Sequence, residues 1–397
     1  MKDVVIVSAV RTATGVIGGT IKDVKPQKLA AIVIEEVVKR AGISPEIVEE
    51  VILGWSRQTT EAANIARHAA LLAGMPEYST GFTVHRQCGA GLTAISCGVQ
   101  EIQTGRCEVV VAGGTESLSQ APFYLKGARF GYKAGDVILT DALTEAGYGG
   151  QPPEIYGKCT MGDTAENVAE QFNVTRQEQD ELAVLSQTRC QEALKNGVFK
   201  EEIVPVEIKT RKGTIVFDTD EGPRPSTMET LAKLPPVFKE GGTVTAGNAC
   251  GRNDCAAAVV LMSADKAKEL GLKPWARFIG DAVVGVDPKI MGVGPVYAVR
   301  KVLKQTGLTL DDIDLIEINE AFCSQAVYCI RELGMDINKV NVNGGATALG
   351  HPVGATGARL MVTLLHEARR RKIKYGMVTL CIGGGQGQAM IVEMLDN

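Results

Sequence analysis

The chain repeats itself. Gly42–Gly54 (GISPEIVEEVILG) aligns without a gap with Gly307–Asn319 (GLTLDDIDLIEIN). In both copies a turn with acidic residues in its first positions leads into an apolar strand. The next strand-to-loop junction carries Cys88 in the first copy and His351 in the second; the one after carries Gly113-Gly114 and then Cys381–Gly384. Two homologous halves facing each other bring matching loops to one place, which lets residues far apart in sequence meet. Common α/β grammar would also give one such match, but chemistry placed on matching loops favours duplication.

Short apolar runs alternate with amphipathic stretches, which predicts an α/β protein. Strands are expected at Val4–Val7, Val51–Leu53, Phe82–Val84, Val109–Ala112, Ala256–Met262, Ala276–Ile279, Leu315–Ile318, Val340–Val342, Met377–Cys381 and Met390–Glu393. They are apolar on both faces, as strands covered by helices on each side should be. Helices are expected at Leu29–Ala41, Thr175–Asn196, Val296–Thr306, Ala321–Leu333 and Ala355–Arg371. Between the copies, from about Gln120 to Thr245, a segment rich in Gly, Pro and charge interrupts the repeat. Long insertions on an α/β scaffold commonly bind ligands or partner subunits.

With 397 residues, 45% hydrophobic and 22% charged, the chain reads as an ordinary globular protein of more than one domain. A net charge of −4 gives no footprint for nucleic acid or for a membrane surface. The 10 cysteines are scattered, no Cys-x-x-Cys pair occurs and only 4 histidines are present, so neither a metal site nor a disulfide framework is expected. No apolar run reaches the roughly 20 residues that span a bilayer. A cytoplasmic setting is the expectation.

Three glycine-rich turns carry reactive side chains. Cys88 follows an apolar run and precedes Gly89-Ala90-Gly91 at a helix start, where unpaired N–H groups favour a thiolate. His351 lies between Gly350 and Pro352, and the proline restricts the backbone of the histidine. Cys381 ends a strand and enters Gly383-Gly384-Gly385, where successive N–H groups can converge on an oxyanion. Nucleophile, base and second thiol suit acyl transfer through a thioester. Asn319, before Glu320-Ala321-Phe322, is either a helix cap or an amide that positions a water or carbonyl. His68 and His366 read as ordinary helical residues.

These residues resemble the thiolase family, the acetyl-CoA acetyltransferases and 3-ketoacyl-CoA thiolases. Ser8–Thr12, Ala112–Gly114, Met161–Asn167, Thr245–Ala249, Asn319–Phe322, Asn341–Arg359 and Cys381–Gly387 carry the likeness, which covers essentially the whole chain. It implies two βαβαβαββ halves in a five-layer αβαβα stack with an inserted loop domain. The halves would be 1–119 with 246–270, and 271–397; the loop domain, 120–245, would receive coenzyme A and make oligomer contacts. Cys88 would be the acylated nucleophile, His351 its base, Cys381 the acid and base at the α-carbon, Asn319 the holder of an oxyanion-hole water, and Cys88 and Gly383 the N–H donors to the acyl-enzyme oxyanion. Arg224, Met161, Ala249, Cys250 and Phe322 would meet coenzyme A or its acyl group.

The resemblance further implies acetyl-CoA C-acetyltransferase activity, with acyl-CoA as substrate, no permanently bound cofactor, and a homodimer or homotetramer. A longer-chain degradative thiolase is the alternative, and a non-catalytic acyl-CoA-binding relative the third reading. Four positions depart from the family pattern. His85 stands where Asn is common, Cys250 where Ser often bonds pantetheine, Thr160 where His often precedes Met161, and Thr115-Glu116-Ser117 where Met-Glu-Asn is usual.

Overall fold

The computed structural model describes residues 2–395. Nine strands form one path: β1 (Val4–Thr12), β2 (Glu50–Gly54), β3 (Thr80–Val84), β4 (Val109–Ser117), β5 (Asn253–Ser263), β6 (Ala276–Gly285), β7 (Leu315–Ile318), β8 (Tyr375–Ile382) and β9 (Gln386–Met394). Their spatial order is β7-β8-β9-β6-β1-β5-β4-β2-β3, with two-residue strands Gly15–Val16 and Ile203–Val204 alongside. The order reads the same outward from the centre. β1 pairs antiparallel with β5, β5 antiparallel with β4, and β4 parallel with β2; in the second half β6, β9, β8 and β7 repeat this pattern. The halves meet where Val5 pairs with Arg277 and Ile6 with Ala276.

The helices duplicate as well. α1 (Pro26–Ala41), α2 (Ile65–Leu72) and α3 (Ala90–Gln103) in the first half correspond to α6 (Gly294–Thr306), α7 (Cys323–Leu333) and α8 (Thr356–Arg371) in the second; α4 (Met161–Gln171) and α5 (Arg176–Lys195) belong to the insertion. The first glycine of each repeat now has a reason. Gly42 (φ 69°) and Gly307 (φ 73°) end α1 and α6 in the left-handed conformation, and each helix has proline in its first positions. Helices α3 and α8 form the middle layer and share one core with Ile52, Val110, Leu261, Val378 and Val392 from the strands of both halves. Small residues let them approach: a Cβ on Gly357 would lie 2.5 Å from the Leu92 nitrogen. Helices α1 and α2 pack in a separate core against the strands of the first half, and α6 and α7 in another against those of the second, completing five layers. No helix among the described residues is long and apolar enough to cross a membrane.

One expected strand is overturned. Val340–Val342 makes only an isolated bridge, Val340 to Ile316, where β3 pairs with β2 over five residues. Asn341 adopts φ 43°, which turns the chain out of extended conformation. Its side chain takes over the ladder: Ile318 N–H donates to Asn341 Oδ1 at 2.9 Å, and Asn341 Nδ2 donates to Ile318 O at 2.9 Å. Helix α7 also starts later than expected, at Cys323, because Phe322 is extended (φ −144°).

Candidate active site

Chain segments leaving the C-terminal ends of β2, β3, β7 and β8 meet at one place, the usual position for a site in an α/β fold. There a cavity of about 140 Å³ is lined by Cys88, Gln87, Arg57, His351, Val353, Gly383, Met161, Met291, Ala321, Phe322 and Cys250, with Ala146, Gly147 and Gly150 from the insertion. A second cleft of about 340 Å³ is lined by Arg224, Ala249, Phe238 and Asn253 among others, and Cys250 lies on the walls of both. Phe238 packs edge-on against Phe322 at 6.1 Å, linking cleft and cavity. The outer cleft therefore leads to the reactive one at Cys250. Eight of the ten expected site residues line one or both spaces: Cys88, His351, Gly383, Met161 and Phe322 in the cavity, Cys250 on both walls, and Ala249 and Arg224 in the cleft. Cys381 and Asn319 are fully buried behind the wall.

Cys88 sits in a single turn, Gln87–Gly89, that runs into α3. Gln87 has φ 44°, which aims the following residue into the cavity. The expectation of a ready thiolate is corrected here. Burial pushes the Cys88 thiol above its ordinary value, against the Gly383 N–H, the Arg57 charge and its own N–H, which favour the anion. At rest the sulfur holds its proton, so a base is needed.

His351 stands on the same cavity wall. Burial, with the charges of Arg359 and Arg57, pushes its imidazole down to about 3, so it is neutral at physiological pH. Its Nδ1 lies 2.6 Å from Thr356 Oγ1, and the Thr356 hydroxyl donates to Pro352 O at 3.0 Å. A hydroxyl has one proton to give. Thr356 must therefore accept from Nδ1–H, which leaves Nε2 unprotonated. The backbone N–H of His351 donates to Asn253 Oδ1 at 3.0 Å, fixing the loop from the first half.

Cys381, the seventh residue of β8, packs with Met291, Ala321 and Phe322, which line the cavity in front of it. Burial lifts its thiol well above the ordinary value, and the neighbouring sulfurs of Cys88, Cys329 and Cys250 add to the rise. The Gly383 N–H reaches the Cys88 sulfur, and Gly384 and Gly385 (φ 88° and 81°) turn the chain behind it.

Asn319 is no helix cap, since Phe322 holds that position. Its backbone N–H donates to Thr379 O at 3.0 Å, but neither atom of its buried amide bonds to protein. A buried amide with unused hydrogen-bonding capacity suits a bridging water or a ligand oxygen. Of the departures, Thr160 caps α4: its Oγ1 accepts from Asp163 N–H, and Asp163 accepts the Thr160 N–H. Thr115 Oγ1 donates to Pro26 O at 2.9 Å, inside the first half. His366 is a core residue bonded through Nε2 to Ala9 O at 2.9 Å. Away from the site, Glu50, Glu101 and Cys107 bring ligand atoms within 4.8 Å of one another. Arg106 and the Thr80 hydroxyl already donate to the two carboxylates.

Three residues escaped sequence reasoning. Thr356 orients the base. Glu116 accepts the N–H groups of Gly354 at 2.8 Å, Ser56 at 3.2 Å and Arg57 at 3.2 Å, together with the Ser56 hydroxyl, and so ties loops of both halves together. Arg57 lines the cavity. A signal for Arg57 did exist: carried three residues past its end, the repeat register sets Arg57 opposite Phe322, which lines the same cavity.

The description of the thiolase N-terminal domain matches residues 4–265 and that of the thiolase C-terminal domain residues 272–394. The chain belongs to the thiolase family. Among its relatives, the acetyl-CoA acetyltransferase of Syntrophomonas wolfei subsp. wolfei is 51% identical over 396 residues, covering 99% of this chain and 100% of that one. The crystal structure of the Bacillus anthracis acetyl-CoA acetyltransferase superposes with a TM-score of 0.96 at 49% identity, covering 100% of this thiolase and 99% of that chain. Human mitochondrial 3-ketoacyl-CoA thiolase in complex with CoA gives 0.94 at 43% identity, covering 99% and 98%. The duplicated five-layer fold expected from the sequence is the fold of this family.

Proposed function

We propose that this thiolase is an acetyl-CoA C-acetyltransferase, joining two acetyl-CoA into acetoacetyl-CoA and CoA and running the reverse thiolysis through an acyl-Cys88 intermediate. The observation that carries this is one small cavity lined by Cys88, His351 and Gly383, with the Gly383 N–H on the Cys88 sulfur. His351 Nε2 takes the Cys88 proton, and the sulfur attacks the thioester carbon. The N–H groups of Cys88 and Gly383 hold the oxygen as charge develops on it. CoA leaves and the acyl group stays on Cys88.

His351 passes the Cys88 proton to the departing CoA and then accepts the Cys381 proton, and the thiolate so formed removes an α-proton from the second acetyl-CoA. A carbon acid this weak needs a strong base, and a thiol whose proton affinity is raised by burial gives a more basic thiolate once ionised. Asn319, with its uncommitted amide, and His351 stabilise the enolate oxygen. The enolate carbon attacks the acyl carbon, and Cys88 leaves, taking its proton back from His351.

Coenzyme A enters along the outer cleft past Arg224, Ala249 and Cys250, with the acyl group against Met161 and Phe322. Met161, Met291 and Phe322 leave only about 140 Å³ at the reactive end, which favours short acyl groups over the longer-chain degradative reading. The organisation into 1–119 with 246–270, 120–245 and 271–397 belongs to this proposal, supported by the mirrored strand orders. So does self-association as a dimer or tetramer, supported by exposed apolar side chains on the insertion such as Phe130 and Ile138. The same proposal has acyl-CoA as the only small-molecule partner, no permanent cofactor, and a cytoplasmic location. The test is thiolysis kinetics with acetoacetyl-CoA against a 3-ketoacyl-CoA of ten or more carbons. Faster turnover of acetoacetyl-CoA supports the reading, and a clear preference for the long chain replaces it with the degradative one.

A further inference from the structure

The reactive cavity carries a cation that the chemistry above does not use. Arg57 enters its wall three residues after β2, among neutral neighbours: Gln87, Met161, Phe322, Val353 and Gly383. No carboxylate among the described residues bonds its guanidinium, although the Glu116 carboxylate lies within range of its charge. Nη1 donates only to uncharged acceptors at long range, Ser56 O and Oγ at 3.4 Å and Gln87 Oε1 at 3.3 Å. Nε is buried and has no partner among the described residues. The neighbouring carboxylate of Glu116 accepts the backbone N–H of Arg57, not its side chain. A buried guanidinium N–H without an acceptor is costly, and the planar fork matches a carboxylate with two parallel hydrogen bonds.

We propose that the cavity accepts acyl groups that end in a carboxylate, and that Arg57 pairs with that carboxylate while the acyl carbon is bonded to Cys88. The inference rests on the thiolase reading of the site. Arg57, Cys88 and His351 line the same cavity of about 140 Å³, which places the guanidinium close to the reacting atoms. The carboxylate must therefore lie a short methylene spacer from the acyl carbon, as in a succinyl group. The chemistry balances within the thiolase scheme. Cys88 sulfur bonds to C3 of the 3-oxo-dicarboxylyl-CoA as its proton passes to His351. The C2–C3 bond breaks, and its electron pair leaves as the acetyl-CoA enolate, which is protonated by Cys381. The proton on His351 replaces the one Cys381 gave. The CoA thiol then takes the succinyl group, and its proton returns to Cys88.

The experiment compares kcat/KM for 3-oxoadipyl-CoA, which transfers succinyl, with 3-oxohexanoyl-CoA, of equal length without the carboxylate, and uses acetoacetyl-CoA as reference. The wild-type protein should prefer the carboxylated probe by about tenfold or more, the scale of one charge-assisted pair. In Arg57→Met that ratio should fall by about 10- to 100-fold whatever happens to the overall rate, and Arg57→Lys should keep part of it. Arg57→Gln serves if the methionine variant does not fold. A wild-type protein that cleaves acetoacetyl-CoA but shows no preference for the carboxylated probe overturns the inference and leaves the thiolase reading standing. An unchanged ratio in the variants overturns it equally, because Arg57 then acts on Cys88 or on the loop and not on the substrate. A wild-type protein that cleaves none of the three removes the thiolase reading and this inference together.

Discussion

Thr356→Val tests the assignment of the base without touching the base. The valine keeps the volume and β-branching of threonine but removes the acceptor that lies 2.6 Å from His351 Nδ1. Nδ1–H is then buried without a partner, a loss of ~1–3 kcal/mol. The imidazole can escape it only by moving its proton to Nε2, the nitrogen that must receive the Cys88 proton. Either way the cost falls on the step that ionises Cys88, and at about 1.4 kcal/mol per decade it slows acylation roughly 5- to 150-fold. The assay is single-turnover acetylation of Cys88 by acetyl-CoA, followed by intact-protein mass spectrometry. Thiolysis kcat is measured beside it, and thermal melts show that the fold is kept. Thr356→Ser retains the hydroxyl and should recover most of the rate. A valine variant that acetylates at the wild-type rate refutes the tautomer argument, as does a serine variant as slow as valine.

Other outcomes follow from the same geometry. Cys381→Ser should still allow Cys88 to be acetylated but slow hydrogen–deuterium exchange at the acetyl-CoA methyl by orders of magnitude, because an alcohol is a far poorer base at neutral pH; wild-type exchange would take Cys381 out of the mechanism. Arg224, whose Nη2 donates to Ala246 O at 3.3 Å on the cleft wall, should act through ground-state binding, so Arg224→Ala should raise the KM for CoA and leave kcat nearly unchanged; an unchanged KM excludes the contact. Glu317 is fully buried with neither oxygen bonded, and burial pushes its carboxyl up to about 8 from an ordinary 4.5, against the pull of Arg359. The folded protein thus binds this proton more tightly than the unfolded chain, and the stability it contributes falls as pH rises from 4.5 through 8. Glu317→Gln removes that slope, so its Tm relative to wild type should climb between these limits; a pH-independent difference in Tm would show that Glu317 does not titrate there.

What the sequence made legible was whatever is written locally. Strands β1, β2, β7 and β8 and helices α1, α5 and α8 follow from apolar patterning and caps, and the glycine turns located Cys88, His351 and Gly383. The repeat foretold that matching loops would converge, and the Cys88 and His351 loops do; Gly113-Gly114, expected at the junction matching Cys381–Gly384, lies inside β4 instead. Val340–Val342 misled because its apolar residues flank Asn341, whose left-handed backbone and side-chain bonds to Ile318 stop the strand; no periodicity encodes that. The thiolate expectation failed for a physical reason too. A helix start favours the anion, but desolvation in the narrow cavity outweighs it, and burial is a property of the assembled fold. Thr356 and Glu116 act through hydrogen bonds across the site, Thr356 back to His351 and Glu116 between the two halves, which a linear reading does not contain.

The central claim is that Cys88 carries the acyl group, and incubation with acetyl-CoA followed by peptide mass spectrometry tests it most directly. The account predicts one acetyl adduct on the Cys88 peptide of the wild-type protein, discharged by added CoA, with none in Cys88→Ala and no turnover of that variant in either direction. An adduct that persists in Cys88→Ala, or substantial thiolysis without Cys88, would contradict it.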